Sequence, residues 1–240
     1  AVNSTTGALT PKAYSTGVTI TASMARTTTV KAASITKSIA VARANQTETL
    51  EKTAIYSQFL TASQTFTAST NGNGALSVAD NNGTATCSIS SGTVTVSNLG
   101  TINAGTEITV TVTAAQTAQY NEASATCNII ITKIANPLTV SNPPTIYVKG
   151  SVGLSSNVSG AQGPVTYEIK SQTTTGSTVN SSTGVLTAGV LSSSNDDDGT
   201  VVVTVTAAGN INYLSGSKDI TVTVQKYTNT LAWDSSTPSS

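Results

Sequence analysis

The chain lacks histidine and carries few charges, which excludes most catalytic chemistry. Of its 240 residues none is histidine, 9% are charged and 4% are aromatic. Without histidine there is no Ser-His-Asp or Cys-His nucleophile system and no His-rich zinc site. The few carboxylates form no pair in an acid–base context, and acid–base catalysis needs positioned titratable groups. We therefore expect a protein that is not an enzyme.

The chain also has no excess of positive or negative charge and no long apolar run. Eleven Lys and Arg residues balance eleven Asp and Glu residues, so the formal net charge is zero. This balance gives no basic surface for nucleic acid or for an anionic membrane. No apolar run approaches the roughly 18–20 residues that span a bilayer. We expect neither a nucleic-acid partner nor membrane insertion.

What the chain does contain is alternating valine and threonine. ITVTVTA (108–114) places Ile108, Val110 and Val112 on one face and threonines on the other, and VVVTVTA (201–207) repeats the pattern. A period of two with one apolar face is typical of half-buried antiparallel strands. Turn signals separate such segments about every eight to twelve residues. The sequence therefore predicts an all-β fold of tandem immunoglobulin-like β-sandwich domains.

A strand-and-turn pattern occurs three times along the chain. The copies are VNSTTGALT (2–10), SISSGTVTV (88–96) and VNSSTGVLT (179–187), each followed by a VT[IV]TA strand. The basic residues Arg43, Lys133 and Lys226, which close the copies, are 90 and 93 residues apart. A period near ninety indicates an array of similar domains.

The repeats predict four parts. These are a partial repeat with C-terminal strands only (1–44), two complete domains (45–133 and 134–226), and a first strand of a next repeat, donor strand or linker (227–240). The second complete domain is predicted to have seven strands, near 137–141, 145–148, 152–158, 165–171, 184–188, 200–207 and 219–225. A sandwich that lacks strands leaves open sheet edges and an uncovered apolar face.

Cys87 and Cys127 fall in the same repeat and match Tyr167 and Ile220 of the next one. A disulfide suits an oxidising compartment. In the usual strand order the third and last strands flank a shared neighbour, which puts them about 9–10 Å apart at about 4.8 Å per step. That exceeds the roughly 7 Å Cα separation that a disulfide allows. A disulfide and two buried apolar thiols both stay open.

Asp196, Asp197 and Asp198 form the only acidic cluster, following Asn195. Calcium binds oxygen-rich loops, so the three aspartates are a candidate calcium site and calcium the only candidate cofactor. Adjacent carboxylates rarely converge on one ion without distant ligands. The alternative is a solvated turn between strands.

Two further groups of residues are candidates for surface roles. Tyr120 and Tyr213 hold equivalent positions before the last strand, where a repeated tyrosine favours a packed corner over a carbohydrate platform. Asn-x-Ser/Thr sequons, which accept glycans on surface loops in a glycosylating host, occur at Asn3, Asn45, Asn82, Asn157 and Asn180.

The repeats resemble bacterial Ig-like domains of the group 2 kind, which occur in surface proteins and phage fibres. The resemblance rests on SSTGVLT (181–187), the VTVTA strand, AGNINYLSGSKDITVTVQK (208–226) and KIANPLTV (133–140). It covers most of 46–226 and both partial copies. It implies the sandwich fold and brings no catalytic residues.

Together these features predict a non-enzymatic structural protein at an extracellular, cell-surface or virion-surface location. The leading interpretation is an Ig-like repeat subunit of a filament, fibril or stalk, assembled head-to-tail by strand complementation with itself as partner. The alternatives are a phage virion fibre or capsid decoration protein, and a cell-surface adhesin that binds glycan or a surface protein.

Overall fold

Antiparallel strands with one apolar face and one threonine-lined face form the framework of the chain. The computed structural model describes residues 1–231. The chain divides into two compact units, Ala1–Thr132 and Lys133–Ser240, each with its own hydrophobic core. Residues 1–44, the predicted partial repeat, belong to the first of these units. Positions 232–240 of the predicted segment 227–240 lie outside the described residues.

The first unit contains a separate hairpin followed by a two-sheet sandwich. One sheet has the order β4-β10-β9-β6 and the other β3-β5-β8-β7, while β1 and β2 pair only with each other. A 3₁₀ turn, Leu99–Thr101, follows β8. The strands are β1 (Ser15–Met24), β2 (Ala33–Val41), β3 (Glu48–Leu50), β4 (Ala54–Gln58), β5 (Ser63–Thr70), β6 (Leu76–Asp80), β7 (Thr86–Ser90), β8 (Thr93–Ser97), β9 (Glu107–Ala114) and β10 (Ala123–Thr132).

The second unit is a sandwich built around the sheet β12-β21-β20-β15. Shorter pairings, β11-β14, β13-β18-β17 and β16-β19, complete it. The strands are β11 (Thr139–Val140), β12 (Ile146–Tyr147), β13 (Ser151–Gly153), β14 (Val158–Ser159), β15 (Val165–Gln172), β16 (Thr174–Thr175), β17 (Thr178–Val179), β18 (Val185–Thr187), β19 (Val190–Leu191), β20 (Asp198–Ala207) and β21 (Gly216–Gln225).

The strand arrangement is that of an immunoglobulin-like sandwich, so the predicted all-β fold is confirmed. In both units the early chain first joins one sheet and then crosses to the other, where β4 and β12 pair in parallel with the last strands β10 and β21. Apolar residues face each other across the long pairs, as in Val203 opposite Ile220 and Val201 opposite Val222. Such cross-strand pairs stabilise a half-buried sheet.

Of the seven predicted strands in the second unit, the one expected over 152–158 is interrupted. A 3₁₀ turn, Leu154–Asn157, separates β13 from β14. Leu154 from this turn is fully buried in the core. Consecutive residues of a strand point to opposite faces, whereas the turn brings an additional side chain inward.

The three predicted strand-and-turn copies are confirmed as three hairpins. Their closing pairs are Val2–Leu9, Ile89–Val94 and Val179–Leu186. In the first and third copies the asparagine after the first valine accepts backbone N–H bonds through its side-chain oxygen at 2.9 to 3.0 Å, and a glycine at φ 70 to 72° closes the turn. Glycine reaches this left-handed conformation without a side-chain clash.

Candidate functional site

The predicted acidic cluster lies at the start of β20, beside a lysine. The Lys226 ammonium donates to the Ser194 carbonyl at 2.7 Å, and the Asp197 carbonyl accepts the Lys226 backbone N–H at 3.1 Å. Residues 1–231 contain no group of three or more His, Cys, Asp or Glu side chains placed to hold a metal ion. The calcium site at Asp196, Asp197 and Asp198 therefore stays a prediction, and a lysine already supplies positive charge to this turn.

The two cysteines lie on opposite sheets, which corrects the predicted strand placement. Cys87 is on β7, whereas Cys127 is on β10 of the other sheet. By its pairing with β9, the residue equivalent to Tyr167 is Val78 and not Cys87. The match of Cys127 with Ile220 is confirmed, since both face a valine of the preceding long strand. Both thiols are free.

Both thiols are expected to react slowly and to be present in the purified chain. Burial raises the pKa of each thiol, and the Asp80 carboxylate adds to the effect at Cys87. Because the thiolate is the reactive form, a raised pKa lowers reactivity near neutral pH. We expect titration with a thiol reagent, without reductant, to find two thiols per chain after denaturation and slow reaction before it. Finding no thiol after denaturation would establish the disulfide instead.

Of the sequon asparagines, Asn157 is half-buried and the other four are exposed, and they differ in what their side chains do. The side-chain oxygens of Asn3 and Asn180 accept the hydrogen bonds that stabilise their turns. The amide nitrogen, which is the atom that takes a glycan, has no part in these bonds. Asn45 accepts through its side-chain oxygen as well, from Asn121 at 2.9 Å. In contrast, the amide nitrogens of Asn82 and Asn157 donate to Glu107 and Ser141. Glycosylation stays a prediction at all five.

The surface best suited to binding a partner is the apolar face of the β1–β2 hairpin. By strand register Val18, Ile20 and Ala22 of β1 correspond to Val203, Val205 and Ala207 of β20. The β20 residues are fully buried, whereas Val18 is 44% exposed. Met24 and Ile35 on the same face are 52% and 73% exposed. The predicted uncovered face is thus confirmed in the described residues.

Only the first hairpin, Val2–Leu9, lies against this face within residues 1–231. A cavity of about 160 Å³ separates it from the β1–β2 sheet, lined by Val2, Leu9, Val18 and Ile39 among others. In the complete sandwiches the matching core is filled by residues from five or more strands. The Val2–Leu9 hairpin therefore covers only part of the apolar β1–β2 face and does not complete a packed core there.

The β1–β2 hairpin is attached to the first sandwich at its base. The Tyr14 backbone N–H donates to the Ala118 carbonyl at 2.8 Å, and Arg43 Nε donates to the Thr117 carbonyl at 2.9 Å. The Arg43 guanidinium lies 4.0 Å from the centre of the Tyr14 ring. A cation over an aromatic ring is stabilising where water is partly excluded.

A second repeated feature is the connection between a last strand and the turn that follows the next VT[IV]TA strand. Ala44 donates its N–H to the Gln119 carbonyl and accepts from the Asn121 N–H, both at 2.8 Å. Ile134 makes the same two bonds with Asn212 and Leu214, at 3.1 and 2.8 Å. These two connections form parallel bridges to Tyr120 and Tyr213. The predicted equivalence of the two tyrosines is confirmed.

Sequence reasoning missed two buried polar residues that follow the first connection. Gln46 Nε2 donates to the carbonyls of Ala114 and Ala115 at 3.1 and 3.0 Å. Its Oε1 accepts from Gly74 N–H and the Thr70 hydroxyl, both at 3.4 Å. Glu48 is buried with no hydrogen-bond partner for either carboxylate oxygen, and burial raises its pKa. Alignment of the repeats pairs Gln46 with Asn136 and Glu48 with Leu138, but it does not show that Gln46 and Glu48 are buried.

Comparisons with known proteins agree with the fold and add no identity. No family model matches the chain and no curated protein matches it, so the resemblance to bacterial group 2 repeats stays a prediction. Nowhere in residues 1–231 is there a helix with the length and hydropathy that a membrane crossing requires.

The solved structures that match include protocadherin, cadherin and titin domains. The protocadherin γB4 extracellular domain matches 88% of this chain at 16% identity and a TM-score of 0.38, and the match spans 38% of that chain. The N-cadherin EC1-3 structure of Drosophila matches 88% of this chain and 78% of its own at 15% identity and a TM-score of 0.33. Titin domains z1z2, solved with telethonin, match 75% of this chain and 98% of theirs at 13% identity and a TM-score of 0.39. These values carry no argument about function.

Proposed function

We propose that this chain is a non-enzymatic structural protein, an Ig-like repeat subunit of an extracellular filament, fibril or surface stalk. The observation that carries the proposal is the uncovered core face of β1–β2, in a chain whose two other repeats fully bury the positions of Val18, Ile20 and Ala22. An exposed apolar sheet face with open edges is an association site unless something covers it. Assembly with further Ig-like repeats gives that cover.

The composition supports close association of many copies. The chain has no net charge, so copies do not repel one another. The outer faces of the long strands are rich in threonine, whose hydroxyl keeps an uncharged surface hydrated while its branched side chain suits a strand. We propose that the protein is extracellular, on a cell or virion surface, and that its main partner is itself.

The test is electron microscopy of the native source material with an antibody against this chain. Label along continuous thin filaments or stalks is the expected result. Label confined to the cell interior, away from filaments and surface projections, would overturn the proposed function. Label on phage particles would move the assignment to a virion fibre or capsid decoration protein built from the same domains.

A second candidate, a cell-surface adhesin, is favoured by one observation in the second unit. Tyr147 and Tyr227 stack with ring centres 4.6 Å apart and remain 48% and 67% exposed. Exposed aromatic rings offer a stacking surface for sugars. Binding of the chain to an immobilised glycan panel, lost on Tyr147→Ala, would support this candidate. A panel without any bound glycan would oppose it.

A further inference from the structure

We propose that the segment Lys226–Leu231 of one copy docks on the β1–β2 hairpin of a second copy, head to tail. The proposal rests on the proposed self-assembling function and names its contact. It follows from three positions that recur along the chain. The first two positions make their contacts in both complete repeats and the third makes its contact in the second unit. The next occurrence of all three lies in Lys226–Leu231, with no counterpart among the described residues.

The first recurring position is the residue after the closing basic residue. Ala44 follows Arg43, Ile134 follows Lys133 and Tyr227 follows Lys226. Ala44 and Ile134 each exchange two backbone hydrogen bonds with the turn after a VT[IV]TA strand. Tyr227 holds the equivalent sequence position, so its backbone N–H and carbonyl can make the same two bonds with a turn of this kind.

The turn between β1 and β2 has the geometry that these connections use. The Thr117 hydroxyl accepts the N–H of Gln119 and Tyr120, and Asn210 accepts those of Asn212 and Tyr213. In the β1–β2 turn the Thr27 hydroxyl accepts the N–H of Thr29 at 3.3 Å and of Val30 at 3.1 Å.

The backbone closure of the turn is also shared. The N–H of Thr27, Thr117 and Asn210 donates to the carbonyl three residues later, at 2.9, 3.0 and 3.0 Å. Val30 thus holds the same turn position as Tyr120 and Tyr213, in a turn that lies two residues further from its VT[IV]TA strand. The Thr29 carbonyl and the Lys31 N–H are the groups that correspond to the acceptor and donor for Ala44 and Ile134.

The second recurring position is a side-chain amide two residues further on. Gln46 Nε2 bonds to the Ala115 carbonyl at 3.0 Å, and Asn136 Nδ2 bonds to the Ala208 carbonyl at 3.4 Å. Asn229 holds this position after Lys226. Counted from the turn, its acceptor on the hairpin is the carbonyl of Ala25, which precedes Thr27 by two residues as Ala115 precedes Thr117 and Ala208 precedes Asn210.

The third recurring position is the residue that enters the core. Leu138 is 4% exposed and packs in the core of the second unit. Leu231 holds the same position after Lys226 and is 94% exposed. The β1–β2 hairpin offers an apolar face of the same kind, because an offset of two residues along a strand keeps the same side chains on that face, Ile20 and Ala22 among them.

The start of the docking segment is held on its own unit. The Lys226 N–H donates to the Asp197 carbonyl at 3.1 Å, and the Tyr227 ring stacks on Tyr147. A segment fixed at its root loses less conformational freedom on binding than a free chain does. The contact is heterologous, because the donor segment and the acceptor hairpin are different surfaces, so it builds open chains of copies.

Sedimentation velocity of the 240-residue chain over a concentration series tests the proposal. We expect association that is weakened at least about tenfold by Lys31→Pro, which removes the donor N–H, and by Leu231→Asp, which puts a charge on the entering side chain. Lys31→Ala is the matched control and should associate like the original chain. Circular dichroism melts should show that each variant remains folded.

Mixing the variants tests the polarity of the contact. Lys31→Pro keeps a working donor segment and Leu231→Asp keeps a working hairpin, so their mixture should form pairs but no longer assemblies. Association that survives both substitutions would overturn this contact while leaving self-assembly in place. Association lost with Ile35→Asp but not with Leu231→Asp would establish a face-to-face pair of hairpins instead. A chain that stays monomeric throughout would overturn the contact, and labelling of native filaments would then decide the proposed function separately.

Discussion

Replacing Gln46 with glutamate is expected to destabilise the first unit by at least about 3 kcal/mol and to leave the second unit unchanged. Gln46 is buried and its Nε2 is the donor for two backbone carbonyls, those of Ala114 and Ala115. Glutamate has the same shape but places an oxygen against these two carbonyl oxygens. The N–H of Gly74 keeps its acceptor, so the loss is specific to the donor side.

Hydrogen–deuterium exchange measures this effect in each unit separately, because exchange reports local opening free energies. Gln46→Ala removes both the donor and the acceptor and should cost about 2 kcal/mol, less than glutamate does. Asn136→Asp is the matched substitution in the second unit. Asn136 is only half-buried and its bond to Ala208 is longer, so a loss under about 1 kcal/mol is expected there. Equal losses from Gln46→Ala and Gln46→Glu would contradict the assigned orientation of the amide.

Strand positions and inward-facing residues were predictable because the signal is local. In β9 and β20 every second residue is buried and most of these are valine or isoleucine, so one register satisfies all of them at once. The turn hairpins were predictable for the same reason, since an asparagine and a glycine at fixed spacing determine the turn. The uncovered face of β1–β2 followed from recognising that these strands repeat and their early neighbours do not.

The misplaced cysteine shows where such reasoning ends. In the second unit β15 continues through Val165–Gln172, whereas the corresponding chain of the first unit stops at Asp80 and turns. The Asp80 carboxylate accepts the N–H of Asn82, Thr84 and Ala85, which creates that turn. The chain then enters β7 on the other sheet and takes Cys87 with it. An alignment of the two repeats by residue type does not reveal that the Asp80 side chain ends its strand early.

The interrupted strand at 152–158 and the buried amide of Gln46 have a shared cause. Both depend on contacts between residues far apart in sequence, such as the bond from Gln46 to Ala114. A polar residue in a connecting segment is expected at the surface on statistical grounds. Only the folded chain shows that the carbonyls at the end of β9 need a donor and that this segment supplies it.

Replacing Glu48 with leucine is expected to stabilise the first unit at neutral pH by roughly 1 to 4 kcal/mol. Glu48 is 8% exposed and neither carboxylate oxygen has a partner. An unpaired buried charge costs free energy, whereas the equivalent Leu138 packs into the core of its own unit. The gain should appear as a rise in the unfolding free energy of the first unit alone.

The pH dependence of this gain identifies the carboxylate as its source. Burial raises the pKa of Glu48 in the folded chain above its ordinary value of 4.5. The folded state therefore binds the proton more tightly than the unfolded state does, so the contribution of Glu48 to stability is most favourable below pH 4.5 and falls as pH rises through the folded pKa. The leucine variant lacks this loss, so its advantage over the original chain should grow from acid to neutral pH.

Taking the difference between the two chains removes the contributions of other carboxylates. Hydrogen bonds lower the pKa of Asp80 against the opposing effect of burial, and they lower that of Glu51, so both groups lose stability in acid equally in the two chains. Glu48→Gln keeps the shape and removes the charge, so its advantage over the original chain should also grow from acid to neutral pH, with a smaller gain than leucine gives. A leucine advantage that stays constant between pH 4 and pH 7 would mean that the Glu48 carboxylate is solvated. The assignment of Glu48 as a buried residue would then be wrong.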